Sequence, residues 1–256
     1  MQIEGLADIA HLYDAMLIDQ FGVIHDGQKL YPGTREILAK LQALKIPVMV
    51  MTNSGKRAPA NVTRLLKMGM PRGLFIDVVS SGELAFRDIH VKRAFLIGKS
   101  GEQYDFDGIE FVEDPANAEV MLILGSNAPD TSLEAYRQLL RHVTLPAICC
   151  NPDRLMITQH GLQPAPGEIA AVYESLGGTV TWIGKPYPGI YQHALMRLGH
   201  PQRVLCIGDS AEHDVAGGQG AGLDTLLVLQ GVSAGLLESE ITPKPDYILK
   251  DFIWRG

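Results

Sequence analysis

The sequence predicts an α/β protein: a doubly wound parallel sheet carrying a second, smaller α/β layer as an insertion. Three observations predict it. Short apolar, strand-like runs alternate with helical patterns through nearly all 256 residues, which is the rhythm of βαβ units. Several of these runs stop at a polar group beside a glycine, as at Asp19, Thr52-Asn53, Lys185 and Asp209. Between residues 91 and 179 the rhythm persists but the punctuation changes, so residues 1–90 and 180–256 read as one core domain and 91–179 as a separate inserted α/β layer.

The elements follow in order. Residues 16–19 form a short apolar strand that ends on Asp19 and breaks at Gly22. A turn-rich stretch to Gly33 contains His25-Asp26-Gly27, after which Thr34 caps a helix with Ile37, Leu38, Leu41 and Leu44 on one face. A strand over 46–51 runs into Thr52-Asn53-Ser54-Gly55, and a second helix turns Val62, Leu65 and Leu66 inward and stops at Gly69. A third strand over 76–79 and a helix over 83–90 complete a βαβαβ run. In the insertion, strands fall at 94–97, 120–124 and 147–150. A capping-box helix opens at Thr131-x-x-Glu134, with Leu133, Tyr136, Leu139 and Leu140 along it, and another helix runs over 168–176. The first pattern then returns. A strand over 181–183 ends in Gly184-Lys185-Pro186, a helix carries Ile190, Tyr191, Leu195 and Leu198, and a strand over 203–207 ends in Gly208-Asp209-Ser210. Strands over 225–229 and 247–249 close the sheet.

Composition narrows the function classes. With 46% hydrophobic and 20% charged residues the chain has the make-up of an ordinary globular protein. A formal charge of −7 and a pI near 5.6 argue against a nucleic-acid partner, which calls for a basic face. No apolar run approaches the length of a membrane span, and the first residues show no basic and apolar leader, so a cytoplasmic location without a membrane partner is expected. The three cysteines lie in apolar, strand-like runs with no metal-ligand spacing and read as buried free thiols. A homo-oligomer is compatible with all of this, and nothing in the sequence selects one.

The chemistry sits at the strand ends. Asp19 alone is a weak sign, because Asp-x-x-Gly also opens ordinary turns. In one parallel sheet, however, all carboxyl ends point to the same crevice, so Asp19, Thr52, Asn53, Lys185, Asp209 and Asp214 can converge there. Two or three carboxylates make the hard oxygen site that magnesium prefers, with positions left open for a substrate phosphate. A threonine hydroxyl, the N–H groups of a turn and a lysine cation suit phosphate oxygens. A carboxylate beside a metal and a lysine can attack phosphorus and form an aspartyl phosphate.

Four motifs in this order resemble the haloacid dehalogenase superfamily of phosphohydrolases, class IIA, the NagD-like sugar-phosphatase and nitrophenylphosphatase group. They are Asp19-Gln20-Phe21-Gly22-Val23, Thr52-Asn53-Ser54, Gly184-Lys185-Pro186 and Gly208-Asp209-Ser210-x-x-x-Asp214. Asn151-Pro152-Asp153 and Pro166-Gly167 resemble that group's cap. The resemblance covers nearly the whole chain and implies a Rossmann-like core with a C2-type cap, Mg²⁺ as cofactor and a small phosphorylated substrate. It implies Asp19 as nucleophile and metal ligand, the Phe21 backbone carbonyl, Asp209 and Asp214 as further ligands, and Lys185 as the neutralising cation. Thr52, Asn53 and Ser54 would hold the phosphoryl group, and Asn151 and Asp153 the rest of the substrate.

One residue departs from the pattern. The family's phosphatases carry a second aspartate two residues after the nucleophile, where this chain has Phe21. That aspartate protonates the leaving alcohol and then activates water, and losing a general acid–base costs roughly 10²–10⁴ in rate. Three readings follow. One is a phosphohydrolase with weakened acid–base catalysis that takes its proton from His25, Asp26 or Asp153. Another is a phosphate-ligand-binding or regulatory protein of little turnover. The third is a metal-independent dehalogenase-like hydrolase, which the like charges of Asp209 and Asp214 facing Asp19 disfavour. Beside this constellation, Arg154 and His160 in the cap can meet an anionic substrate, Gly167 can let the cap backbone come close to it, and Trp182 reads as packing; His193, His200 and His213 have no partner spacing for a metal, and His213, beside Asp214, reads as a solvated helix position rather than a site residue.

Overall fold

The computed structural model describes residues 1–255. Its first elements are α1 (Ala7–Ala10), β1 (Ala15–Asp19), α2 (Thr34–Ala43), β2 (Val48–Thr52), α3 (Ala58–Lys67), β3 (Val78–Ser80) and α4 (Ser81–Asp88). Then come β4 (Arg93–Ile97), β5 (Glu110–Val112), β6 (Val120–Ile123), α5 (Leu133–Leu140), β7 (Ala147–Cys149), β8 (Leu155–Thr158), β9 (Gly161–Pro164), α6 (Pro166–Ser175) and β10 (Val180–Trp182). The chain finishes with α7 (Pro188–Arg197), β11 (Val204–Gly208), α8 (Ala216–Gly220), β12 (Asp224–Val228) and β13 (Tyr247–Leu249). Two compact units result. Met1–Thr52, Ala58–Val79 and the chain from Lys185 onward form the first, and Asn53–Arg57 with Ser80–Gly184 form the second.

The first unit is built on a six-stranded sheet in the order β13-β12-β11-β1-β2-β3. Its central strands are buried along their whole length, which is why they read as unbroken apolar runs rather than as alternating ones. Side chains still alternate between the two faces. Met16, Ile18, Val48, Val50, Leu205, Ile207, Leu226 and Val228 share one core with Ile37, Leu38 and Leu41 of α2 and Leu65 of α3. Each such side chain contributes about 1.5–3 kcal/mol by leaving water. The chain builds outward from β1 through β2 to β3 on one side and from β11 through β12 to β13 on the other. The order therefore reverses between β1 and β11, and at such a switch point the loops diverge and leave a crevice beyond the carboxyl ends. Parallel register sets Ile18 against Ile207 and Asp19 against Met51, so Asp19, Thr52 and Asp209 emerge at nearly one level.

The second unit carries a five-stranded sheet, β10-β7-β6-β4-β5, parallel throughout, and a separate antiparallel hairpin of β8 and β9. Both faces of the sheet are covered. Phe95, Ile97, Met121, Ile123 and Cys149 pack with Tyr136, Leu140, Ile169 and Tyr173, and Ala94, Val120, Leu122 and Cys150 pack with Ala85, Tyr104 and Phe106. The α/β class with two parallel sheets thus matches the sequence prediction.

Several local expectations change. The strand expected to reopen the core at 181–183 is β10, and it pairs with β7 in the second sheet, Val180 opposite Ala147. A three-residue strand carries too little pattern to choose its sheet, and tertiary pairing decides. Thr34 is the first helical residue rather than a cap; Gly33, at φ 81°, precedes it, and the Thr34 hydroxyl turns back to the Ile24 carbonyl. The α5 cap is Ser132, whose hydroxyl accepts the Ala135 N–H, rather than Thr131. Leu66 and Leu139 face outward. Strands β5, β8 and β9 carried no legible signal. All three cysteines are buried and free of disulfides, and among the described residues no helix is long and apolar enough to cross a membrane.

Candidate active site

In the first unit, four side chains from three separated stretches meet at the carboxyl ends of the central strands. Asp19 is the last residue of β1, and Asp209 directly follows β11. Asp214 lies on the π-helical turn Ala211–Val215, which the Ser210 hydroxyl caps by accepting the His213 N–H; such wide turns recur at functional sites. Lys185 precedes α7. Exposures of 6% for Asp19, 5% for Asp209 and 3% each for Asp214 and Lys185 put all four charges out of water.

Lys185 Nζ donates to Asp19 Oδ1 at 2.6 Å and to Asp214 Oδ1 at 2.8 Å. Asp214 Oδ2 accepts the Ser210 N–H at 3.1 Å, and Asp209 Oδ2 accepts the Val232 N–H at 2.7 Å. One oxygen from each carboxylate lies within 4.8 Å of the others. Three carboxylates against one ammonium leave two negative charges uncompensated. Burial, and then the charges of Asp19 and Asp214, push the Asp209 carboxyl well above its ordinary range. A divalent cation among these oxygens would balance the charge.

The backbone makes room for such an ion and its ligands. Gly22, at φ 84°, and Gly231, at φ 53°, both lie so close to the Asp209 carboxylate that a Cβ on either would collide with it, and a Cβ on Gly208 would collide with Asp214. The donors are all hard oxygens. The Phe21 carbonyl, the fourth ligand that the resemblance implies, accepts no backbone N–H among the described residues. The residues present therefore fit a magnesium-like ion.

Thr52 ends β2, 2% exposed, one residue beyond the level of Asp19. Asn53 and Ser54 follow it but belong to the second unit, where they join two other predicted substrate residues. Asn53 Nδ2 donates to Asp153 Oδ1 at 2.8 Å, Ser81 Oγ to Asn53 Oδ1 at 3.2 Å, and Asp153 N–H to Asn151 Oδ1 at 3.1 Å. Ser54 accepts from Gly82 N–H through its carbonyl and from Lys56 N–H through its hydroxyl. Arg154 is paired with Glu168 at 3.0 Å and lies over the Trp182 ring, while His160 sits in the exposed β8–β9 turn. Gly167 packs so closely on Pro152 and Asp153 that a Cβ would clash, so its freedom serves the cap's own loop packing.

Phe21 is the residue that the resemblance sets against a second aspartate. Its ring, 37% exposed, meets the His25 ring edge-on at 4.3 Å, and the Arg64 guanidinium lies 5.2 Å from its centre. His25, considered above as a substitute proton source, is fully buried. Its Nδ1 accepts the Gly27 N–H at 2.9 Å, so Nε2 carries the proton. The Gln20 amide nitrogen lies 3.0 Å from that Nε2 while the Gln20 amide oxygen is buried without a partner, and exchanging the two amide atoms lets the oxygen accept the Nε2 N–H. Burial, with Arg64 adding to it, pulls the His25 pKa down to about 4, so the imidazole is neutral at pH 7 and braces the turn. Asp26 likewise closes that turn by accepting the Gln28 and Lys29 N–H groups.

This has a measurable consequence for stability. Above pH 6.5 His25 is neutral in both folded and unfolded chains. Between about 6.5 and 4 the unfolded chain takes up a proton that the native site refuses, so stability falls as pH drops, by about 1.5 kcal/mol from pH 6.5 to 5. Urea midpoints at these two pH values are expected to move further apart in the wild type than in His25→Gln. Equal movement in both would remove His25 from the account.

Some contributors carried no side-chain signal. Val232 acts through its N–H and Gly231 through its missing Cβ; the trace in the sequence is a glycine three residues beyond the end of β12. Arg64 had no motif to mark it, and Ser81 only the Ser80-Ser81-Gly82 end of the third strand.

A doubly wound sheet with a buried acidic cluster and one lysine at its switch point defines a class of α/β enzymes able to work with a divalent cation. Residues 16–112 match the model of haloacid dehalogenase-like hydrolases, and residues 182–254 match the HAD-hydrolase-like model. A hydrolase of the haloacid dehalogenase-like family from Brucella suis 1330 is 30% identical, with 98% of this chain and 100% of that chain covered and a TM-score of 0.87. The p-nitrophenyl phosphatase from Archaeoglobus fulgidus is 28% identical over 94% of this chain and 97% of its own, with a TM-score of 0.72. The dihydroxyacetone phosphatase of Corynebacterium glutamicum (strain R) is 28% identical over 225 residues, 85% of this chain and 81% of that protein. The chain belongs to the haloacid dehalogenase-like hydrolase family, in its NagD-like group.

Proposed function

We propose that this hydrolase cleaves small phosphoric monoesters through an aspartyl phosphate on Asp19, with the unit on the six-stranded sheet as catalytic core and the other as cap. The observation that carries the reading is the Lys185 ammonium held between Asp19 and Asp214, with Asp209 alongside, all buried. The names of the relatives support the substrate class, from p-nitrophenyl phosphatase and dihydroxyacetone phosphatase to the acid sugar phosphatase of Staphylococcus aureus.

Asp19 supplies the attacking carboxylate oxygen. Lys185 holds Oδ1 at 2.6 Å and so fixes the carboxylate's rotation before substrate arrives. Its charge also opposes what accumulates on the phosphoryl oxygens, and because it is buried and already oriented no reorganisation is needed at the moment of reaction. Asp19, the Phe21 carbonyl, Asp209 and Asp214 would hold a magnesium ion, which would supply further charge neutralisation. Thr52 and the N–H groups at Asn53 and Ser54 receive the transferred group's remaining oxygens. The Ser210 and Val232 N–H groups keep Asp214 and Asp209 aimed into the cluster.

Phe21 donates no proton, and neutral His25 has both ring nitrogens committed. The leaving oxygen therefore departs poorly protonated, which penalises alkoxides and spares aryl oxides. Mg²⁺-dependent phosphate release is expected to be faster for p-nitrophenyl phosphate than for alkyl phosphates, with rates falling as the leaving-group pKa rises. A panel of esters assayed with and without Mg²⁺ tests this; a rate independent of leaving group, or one indifferent to metal, sinks it.

The same observation at Phe21 favours a second reading, a phosphate-ligand-binding protein with little turnover. Tight Mg²⁺-dependent binding of inorganic phosphate without hydrolysis of any ester in the panel is its signature. Metal-free dehalogenation is disfavoured, since three buried carboxylates facing one another need a cation.

A further inference from the structure

We infer that Asp153 is a positioning residue that acts through Asn53, rather than a proton donor or a contact to the leaving group. The inference rests on the phosphoryl-transfer reading above and extends it.

The loop that follows Thr52 is assembled as part of the second unit. Asn53 is tied at both ends of its side-chain amide, Nδ2 to Asp153 Oδ1 at 2.8 Å and Oδ1 to Ser81 Oγ at 3.2 Å. An amide held at both ends keeps one orientation, and that restrains the Asn53 backbone next to Thr52. Asp153 is itself fixed. Its N–H donates to Asn151 Oδ1 at 3.1 Å and its carbonyl accepts the Gly167 N–H at 2.9 Å. Gly184 packs against this knot so closely that a Cβ would stand 2.6 Å from Asn53 Oδ1 and 2.8 Å from Pro152 Cδ.

The rest of the loop is secured in the same unit. Arg57 makes a two-pronged pair with Glu83, at 3.1 and 3.0 Å, and stacks 3.5 Å from the centre of the Phe86 ring. Lys56 reaches Glu102 at 3.0 Å, Ser54 O accepts the Gly82 N–H, and Gly55 lies against the Leu124 backbone with no space for a Cβ. Five consecutive residues are thus each held by a different partner of the inserted unit, and Asp153 is the partner that reaches the residue next to Thr52. Charge strengthens its bond to the Asn53 amide.

The two roles for Asp153 separate by chemistry. A proton donor needs a carboxyl, and its loss hurts alkyl esters far more than aryl ones. A positioning residue needs only an acceptor oxygen at that point, and its loss hurts every ester alike. Asp153→Asn keeps an acceptor oxygen and is expected to retain kcat within about threefold, whereas Asp153→Ala loses between about 10- and 10²-fold, as misplacement of a reacting group does. The loss is expected in kcat more than in KM and equally for p-nitrophenyl phosphate and an alkyl phosphate. Asn53→Ala combined with Asp153→Ala is expected to lose no more than Asn53→Ala alone, because the two act as one unit.

A kcat deficit in Asp153→Asn that grows with leaving-group pKa overturns the inference, and so does additivity in the double variant. Thermal melts of each variant separate a folding defect from a positioning defect. Calorimetric titration of inorganic phosphate into the Mg²⁺-loaded protein tests the inference without turnover: the phosphate Kd is expected to weaken in Asp153→Ala and to recover in Asp153→Asn. Equal Kd values in all three proteins overturn it. A wild type that binds phosphate but releases none from esters defeats the hydrolytic reading and leaves this comparison decisive for Asp153.

Discussion

Asp19→Asn is expected to abolish Mg²⁺-dependent phosphate release while leaving the metal-free fold as stable as before or more so. The loss in kcat is expected to be on the order of 10⁴-fold or more, because an amide oxygen is a poor nucleophile at phosphorus and no covalent intermediate can form. The stability change has the opposite sign from most substitutions at buried charges. Asp19 contributes an ion pair with Lys185 at 2.6 Å, but it also faces Asp209, whose carboxyl is pushed up by burial and by its acidic neighbours. With Asn at 19, three carboxylates become two against one ammonium, and an amide oxygen can still accept from Lys185. Repulsion falls by more than attraction in the metal-free state. The benefit disappears once a divalent ion is present, so the rise in Tm that Mg²⁺ gives the wild type is expected to shrink in the variant. A variant with undiminished turnover removes Asp19 from the chemistry, and a lower Tm without metal shows that the ion pair outweighs the repulsion.

Phe21→Asp is expected to raise turnover of alkyl phosphates by up to about 10²–10⁴, with a smaller gain for aryl phosphates. The reason lies in what surrounds the ring. Phe21 is 37% exposed and touches His25 edge-on, so its loss disturbs the core little, and a cost of no more than about 1 kcal/mol is expected. Backbone freedom is not a barrier, since Gly22 already carries the left-handed conformation that the turn needs. Arg64 sets the ceiling. Its guanidinium, 5.2 Å from the ring centre, favours an ionised carboxylate at 21, and an ionised carboxylate cannot donate a proton in the first step. Phe21→Asp is therefore expected to show its gain at the acidic end of the pH profile, and pairing it with Arg64→Met to carry that gain toward neutral pH. No gain at any pH, in a folded protein that still binds Mg²⁺ and phosphate, supports the binding reading instead.

These expectations depend on distances that no motif contains. The motif spacing in the sequence singles out Asp19, Lys185, Asp209 and Asp214, but only the folded chain puts Lys185 Nζ within 2.8 Å of two of those carboxylates and withholds a Cβ at Gly22, Gly208 and Gly231. His25 shows the limit most plainly. In the sequence it is a titratable group four residues from a missing acid; in the structure both its nitrogens are occupied and burial holds it neutral. Asp153 shows the same limit, since its bond to Asn53 spans 100 residues of chain. Short strands were illegible for a related reason: β5, β8, β9 and the sheet membership of β10 depend on neighbours brought from elsewhere.

The sequence by itself determined the α/β class, the parallel central strands and the identity of the acidic, hydroxyl and cationic groups at their ends. It could do so because burial on both faces writes an unbroken apolar run and a strand end writes its own polar stop. Tertiary structure alone decided which inserted strands pair, which histidine is silenced, and which oxygen faces which nitrogen. Those outcomes follow from solvent exclusion and from hydrogen-bond geometry over a few ångströms, and both exist only after segments far apart in the chain have packed together.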